Sequence, residues 1–229
     1  EAKISDDERM FQANEWFDKG YQHYLNKEYD KAIEAYTSAI AINPNYAKAH
    51  YNRGTVYGKE KGLHDKAIED FNKAIALNPN LAEAYNNRGA AYGNKGQYDR
   101  AIEDYNKAST LNPNFAEAYN NRGIAYADKG HYDRAIEDSN KSIALDPNYA
   151  KAYYTRWLAY GKKGQYDRSI EDFNKAIALN PNDAKAYAAR GLAYAILGVI
   201  DRAISDLQKA CDMGDENGCK GLKIALQSR

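Results

Sequence analysis

The chain has 229 residues, and its 32 basic and 32 acidic side chains leave no formal net charge, which excludes the broad attraction to phosphate that non-specific nucleic-acid binding requires. No apolar run approaches the roughly 18–20 residues of a membrane span, and no signal-peptide pattern opens the sequence. Two cysteines, Cys211 and Cys219, are too few for a disulfide scaffold, and tyrosine is the excess, with 21 copies against two Trp and five Phe.

In chain order, Ser5-x-x-Glu8 is a capping box that predicts a helix starting ahead of the repeats, so 1–12 reads as an N-terminal helical extension. Five prolines follow, Pro44, Pro79, Pro113, Pro147 and Pro181, spaced 35, 34, 34 and 34 residues apart, each within Asn-Pro-Asn or, at 146–148, Asp-Pro-Asn. Such a period marks a repeat protein. The one additional residue falls in GKEKGLHD at 58–65, read as a turn inside its unit, where an insertion costs little.

Each unit reads as two helices. In 82–95, Tyr85, Gly89 and Tyr92 recur at helical spacing, Gly96 marks a C-terminus and Asp99 is positioned to cap the next helix. Ala101, Ile102, Tyr105 and Ala108 form that helix's apolar face, and Pro113 stops it. Strand signals are absent. At the far end the Asn-Pro-Asn turn is lost. Cys219, Leu222, Ala225 and Leu226 then share one face of a final helix that would cap the array.

The pattern Tyr85-x2-Arg88-Gly89-x2-Tyr92, Ala101-x3-Tyr105, Pro113, with Trp16, Gly20, Ala32, Tyr36 and Pro44 ahead of it, resembles the tetratricopeptide repeat (TPR) family. The resemblance implies an all-α, right-handed α-solenoid of six helix-turn-helix units at 13–46, 47–81, 82–115, 116–149, 150–183 and 184–217, closed by a capping helix at 218–229. It also implies a non-catalytic scaffold that binds proteins, although the family hosts many partners.

Gly20, Gly54, Gly89, Gly123 and Gly191 hold one column, as expected for close helix approach, and Trp157 stands there in the fifth unit. Ser139 replaces an aromatic seen in other units, so the indole is expected to fill the space beside it. Arg53, Arg88, Arg122, Arg156 and Arg190 form a second column, where the family usually places an apolar residue. Asp70, Asp104, Asp138, Asp172 and Asp206 form a third, and the first unit lacks both members, having Lys19 and Ala35. Joint presence and joint absence predict an Arg–Asp pair bridging the two helices of each unit, against the alternative of independent solvated charges. On this reading Arg88→Leu is expected to be tolerated better than Asp104→Ala.

By the resemblance, the first helices line a concave groove. The residues expected there are Phe17, Tyr21 and Tyr24; Tyr51 and Asn52; Asn86 and Asn87; Asn120 and Asn121; Tyr154; and then Ala188 and Leu192. Lys48, Lys151 and Lys185 flank them, with Glu83 and Glu117 between. The repeated amides, each a donor and an acceptor, suit the backbone of an extended peptide; the alternative is a solvated polar face without a ligand. The family's clamp for a chaperone's terminal carboxylate is not expected, since Glu83 and Glu117 stand where cations are needed.

His23, His50, His64 and His131 lie in different units without metal-ligand spacing, and no phosphate loop is present. No enzyme activity, metal or cofactor is therefore expected, nor a nucleic-acid partner or direct membrane insertion. Cys211 stands in a column of isoleucines, so two buried thiols are expected; a disulfide would need Cα atoms within about 7 Å. A second functional reading is self-assembly through the ends or convex face, as in bacterial organelle-associated members of the family, with Phe11, Trp16 and Phe17 near the N-terminal face. The sequence lacks an initiator Met, as removal of a leader or an N-terminal region would leave it; the cytoplasm is favoured, with export after leader removal the alternative.

Overall fold

The computed structural model describes residues 5–228, so residues 1–4 of the expected N-terminal extension lie outside the described residues. The described residues form an all-α fold without strands, as helix pairs joined by short turns. The pairs are α1 (Asp6–Leu25) with α2 (Tyr29–Ile42), α3 (Ala47–Thr55) with α4 (His64–Leu77), and α5 (Ala82–Asn94) with α6 (Tyr98–Leu111). Next come α7 (Ala116–Asp128) with α8 (Tyr132–Leu145), α9 (Ala150–Lys162) with α10 (Tyr166–Leu179), α11 (Ala184–Ile196) with α12 (Ile200–Asp212), and α13 (Glu216–Gln227). They fall into two compact units, one running to Asn114 and one from Phe115. In each, every second helix packs on the next first helix, and α13 covers α11 and α12.

Local chemistry sets the helix ends. Ser5 accepts the Glu8 N–H at 3.1 Å and caps α1. Asp99 does not cap α6: the cap position is Gln97, without a side-chain hydrogen bond, and Asp99 lies inside the first turn, where a carboxylate suits the helix dipole. Gly96, at φ +72°, takes the left-handed position that ends α5. The Asn-Pro-Asn turns are closed by their first residue. Asn78 Oδ1 accepts the Asn80 N–H at 3.2 Å and Asp146 Oδ1 the Asn148 N–H at 3.0 Å, a local hydrogen bond that mimics a backbone turn.

Within a pair, glycine lets the helices close on an aromatic ring. A Cβ added at Gly89 would stand 2.8 Å from the Tyr105 ring, and one at Gly20 2.7 Å from Tyr36. Trp157 breaks this rule differently from the expectation. Its indole lies on Phe173 of its own pair, with ring centroids 4.6 Å apart, and edge-on to Tyr154 at 6.4 Å. The hydroxyl at Ser139 instead closes on the Ala135 carbonyl at 2.8 Å, while Ser169 donates to the Trp157 carbonyl at 3.2 Å.

The arginines are half-buried and the aspartates buried. Arg88 donates from Nε to one oxygen of Asp104 at 2.8 Å and from Nη2 to the other at 2.6 Å. Arg53 engages Asp70 in the same way, as do Arg122 with Asp138 and Arg190 with Asp206, while Arg156 meets Asp172. Within the units, Nη1 reaches the preceding pair: Arg88 to Asn72 at 2.7 Å, Arg156 to Asn140 at 2.7 Å and Arg190 to Asn174 at 2.6 Å. Tyrosine faces cover the same guanidinium groups, with Tyr85 and Tyr92 around Arg88. Burial pushes the Asp104 and Asp138 carboxyls up in pKa against the pull of their arginines. At Asp70 burial acts likewise, but Arg53 and the additional partner His50 hold the carboxyl below its ordinary value. A second row of ion pairs joins successive pairs at their turns: Lys61 with Asp30, Lys95 with Asp65 and Lys163 with Asp133.

Two expectations need correction. The extra residue of 58–65 is not taken up in the turn. The turn is closed by the Leu63 N–H to the Tyr57 carbonyl at 2.8 Å, equivalent to Gln97 to Tyr92 in the next pair. The additional residue is absorbed by widening the end of α3 into a π-helical turn at Val56–Glu60, where Lys61 N–H reaches the Val56 carbonyl at 3.1 Å. The cysteines are not two buried thiols: Cys211 and Cys219, each half-buried, form a disulfide with Cα atoms 4.6 Å apart, because α13 folds directly back on α12.

Relative burial argues against the order of tolerance expected above. The Asp104 side chain is 8% exposed and that of Arg88 18%, so removing the arginine strands the deeper charge. Arg88→Leu is expected to cost about 3–5 kcal/mol and Asp104→Ala, which leaves Arg88 its bond to Asn72, about 1–3 kcal/mol. Thermal melts of both variants check the order. For the disulfide, reduction is expected to remove about 2–3 kcal/mol by freeing a short loop. Thiol titration of denatured, unreduced protein should find no free thiol; two thiols would contradict the bond.

Candidate functional site

The residues expected in the groove separate into three environments. Phe17 is drawn into the core, its ring 5.6 Å from Tyr36 and 5.1 Å from Tyr46. Lys48, Glu83, Lys151 and Lys185 are exposed near the starts of the first helices, and Glu117 is half-buried. Tyr21 is exposed, while Tyr24, Tyr51 and Tyr154 are half-buried. Ala188 is buried and Leu192 exposed.

The amides are more deeply placed than the sequence suggested. Asn86, Asn87 and Asn120 are 1%, 6% and 0% exposed, respectively, while Asn52 and Asn121 are half-buried. Asn87 Nδ2 donates to the Tyr51 hydroxyl at 3.1 Å and contacts Thr55 Oγ1 at 3.4 Å, both on the preceding first helix, and Asn86 donates to Asn87 Oδ1. Asn52 donates to the Tyr36 hydroxyl, whose pKa burial pushes up to about 12. Thr155 Oγ1 donates to Asn120 Oδ1 at 2.9 Å. Hydrogen bonds of this kind tie one first helix to a neighbour, so these amides serve packing first.

Accessible space lies beside them. In the N-terminal unit a cavity of about 250 Å³ is lined by Tyr21, Tyr24, Tyr36, Tyr51, Asn52, Thr55 and Lys59. A second, of about 340 Å³, lies between the π-helical turn and α5, with Lys59, His64, Phe71, Asn87, Ala90 and Asn94 among its walls. In the C-terminal unit a cavity of about 210 Å³ between α7 and α9 is lined by Ile124, Ala127, Asp128, Tyr154, Thr155, Trp157 and Leu158. The Tyr154 hydroxyl donates to Asp183, and burial together with that carboxylate pushes its pKa up; burial also raises Asp128.

Thr55, Lys59, Ala90, Ile124, Asp128 and Leu158 were not singled out from the sequence. Most stand in two columns that change from unit to unit: Tyr21, Thr55, Ala90, Ile124, Leu158 and Leu192, and Leu25, Lys59, Asn94, Asp128, Lys162 and Ile196. Aligning the repeats against one another exposes that variation beside nearly constant structural columns. His50 is buried, with Nδ1 3.1 Å from Asp70 and Nε2 3.1 Å from the Pro44 carbonyl. In the fifth unit the Tyr153 hydroxyl donates to the Pro147 carbonyl in the same way, at 2.9 Å. Among the described residues no group of three or more His, Cys, Asp or Glu side chains is arranged to hold a metal ion. No described helix is long and apolar enough to cross a membrane.

A family model for the TPR repeat matches residues 20–61, 59–96, 94–130 and 158–198, and models for the tetratricopeptide repeat match 116–149 and 184–213. No curated protein sequence matches. Among solved structures the chain is similar to MamA protein, at 32% identity and a TM-score of 0.65, over 76% of this chain and 94% of that one. It shares its fold with YrrB, at 24% identity and TM-score 0.63 over 76% of this chain and 90% of that one. The fold is shared too with pilF of Pseudomonas aeruginosa, at 18% identity and TM-score 0.81 over 96% of this chain and 99% of that one. With repeat matches covering most of its length, the chain belongs to the tetratricopeptide repeat family.

Proposed function

We propose that this chain is a non-catalytic protein-interaction scaffold whose first helices bind an extended peptide or a helix of a partner protein. The observation that carries this reading is the register of the cavities. The same slot between successive first helices recurs in both compact units, and its walls are where the otherwise uniform repeats differ. Those walls vary in size, polarity and charge while most positions of the Arg, Asp and Gly columns stay the same. The fold is one that carries peptide elsewhere, since YrrB is a TPR protein with an unusual peptide-binding site. The reading requires neither a cofactor nor nucleic acid.

Self-assembly is the second reading, favoured by one observation in each unit. Phe11 on α1 is 64% exposed beside exposed Met10 and Trp16, and Ile224 on α13 is 66% exposed, with exposed Ile196 on α11. Light scattering against concentration separates the readings: a monomer at high concentration disfavours assembly.

For the groove, a phage-displayed random dodecapeptide library gives the probe. Ala90→Trp, which fills the slot in the N-terminal unit, and Leu158→Glu in the C-terminal unit are each expected to weaken peptides bound at their own slot at least roughly 10-fold, about 1.4 kcal/mol. Lys107→Glu, on the exposed side of α6, should change nothing. Calorimetry on the selected peptides reads this, and peptides indifferent to both slot variants would move the binding surface elsewhere. Asn87→Ala is a poor probe. With its bonds to Tyr51 and Thr55 removed, it is expected to lower stability by about 1–2 kcal/mol in a denaturant titration.

A further inference from the structure

The extra residue in the second pair has a consequence at the groove. The π-helical turn at Val56–Glu60 presents Lys59 to both cavities of the N-terminal unit at once. On one side of it lies the tyrosine-lined slot of Tyr21, Tyr24 and Tyr51; on the other lies the slot walled by Phe71 and Ala90. None of the residues lining either cavity is acidic. The adjacent carboxylate, Glu60, is turned toward Tyr24 and Tyr29 and, with burial, raises the pKa of both hydroxyls. Lys61, two positions on, is already paired with Asp30 at 2.7 Å. Lys59 itself is exposed and forms no ion pair among the described residues. The sequence marks the same place: this is the only 35-residue spacing between prolines, and the column of Lys59 carries Leu25, Asn94, Asp128, Lys162 and Ile196 elsewhere.

We infer that the N-terminal unit selects an acidic peptide, with an Asp or Glu side chain on Lys59 and an aromatic or aliphatic side chain in each flanking slot. This rests on the groove reading above and adds the chemistry of its occupant. The charge supplies the selectivity. An ammonium between two slots without acidic walls attracts a carboxylate and repels a basic side chain. The slots supply burial for the two flanking side chains, with their aromatic walls as anchors.

The test uses the whole chain and the same dodecapeptide library. Peptides that Ala90→Trp displaces are expected to carry Asp or Glu flanked by aromatic or aliphatic residues. A labelled copy of one such peptide, measured by fluorescence anisotropy, should bind Lys59→Gln about 10-fold or more weakly. The same peptide with Asn or Gln in place of its acidic residue should bind wild type and Lys59→Gln within about 2-fold of each other. Selection on Lys59→Glu should return peptides with Lys or Arg at that position. If displaced peptides show no acidic enrichment, or Lys59→Gln weakens the acidic and neutral peptides equally, the inference falls while the groove reading stands. If no selected peptide is sensitive to Ala90→Trp, the N-terminal groove is not a binding surface and both fall there.

Discussion

Within each compact unit, one repeated planar cation ties a helix pair to the pair before it. A guanidinium offers five N–H groups in a fixed plane. Here Nε and Nη2 take both oxygens of an aspartate on the partner helix, and Nη1 reaches the second helix of the pair before, as Arg88 does with Asp104 and Asn72. Tyrosine covers the open face. Burial of such a pair is costly, and the geometry recovers the cost only because each carboxylate oxygen has a donor. An apolar residue in that column would bury area without direction. Within each compact unit the arginine adds a directed bond from one pair to the one before, as Arg88 does to Asn72 and Arg190 to Asn174.

That constraint divides every first helix. One side, with the arginine and the glycine or Trp157, must meet the packing. The other side is free to change, and it does, from Thr55 to Ala90 and from Ile124 to Leu158. The asparagines sit on the boundary between the two. Asn87 reaches back to Tyr51 and Thr55, holding adjacent first helices at a distance that leaves slots beside them. A repeat scaffold thus keeps its spacing constant while its slots differ in charge, with Lys59 in one and Asp128 in another.

Departures from the repeat are absorbed locally and leave the register intact. The π-helical turn takes the extra residue without disturbing the Leu63–Tyr57 bond that closes the turn. Trp157 is accommodated by stacking on Phe173, and the C-terminal end is fastened by the Cys211–Cys219 bond between α12 and α13. Each works because a helix pair contacts mainly its neighbours.

The sequence by itself determined the period, the helix pairs, the Asn-Pro-Asn stops and the two columns of opposite charge, because each repeats and a repeated column is its own alignment. Helical spacing also sorts Arg88 and Gly89 from Asn86 and Asn87, although both sets are packed in the structure. Only the tertiary structure decided what those side chains meet. Spacing assigns a residue to a face but not to a partner on a neighbouring helix. It therefore put the asparagines toward a ligand, when the Tyr51 and Thr55 hydroxyls lie within hydrogen-bond reach of Asn87. Trp157 went to Ser139 for the same reason, when the ring beside it is Phe173. The extra residue and the cysteines turn on backbone geometry: where a helix widens more cheaply than a turn lengthens, and how tightly α13 folds back on α12, are set by packing that no single stretch of sequence encodes.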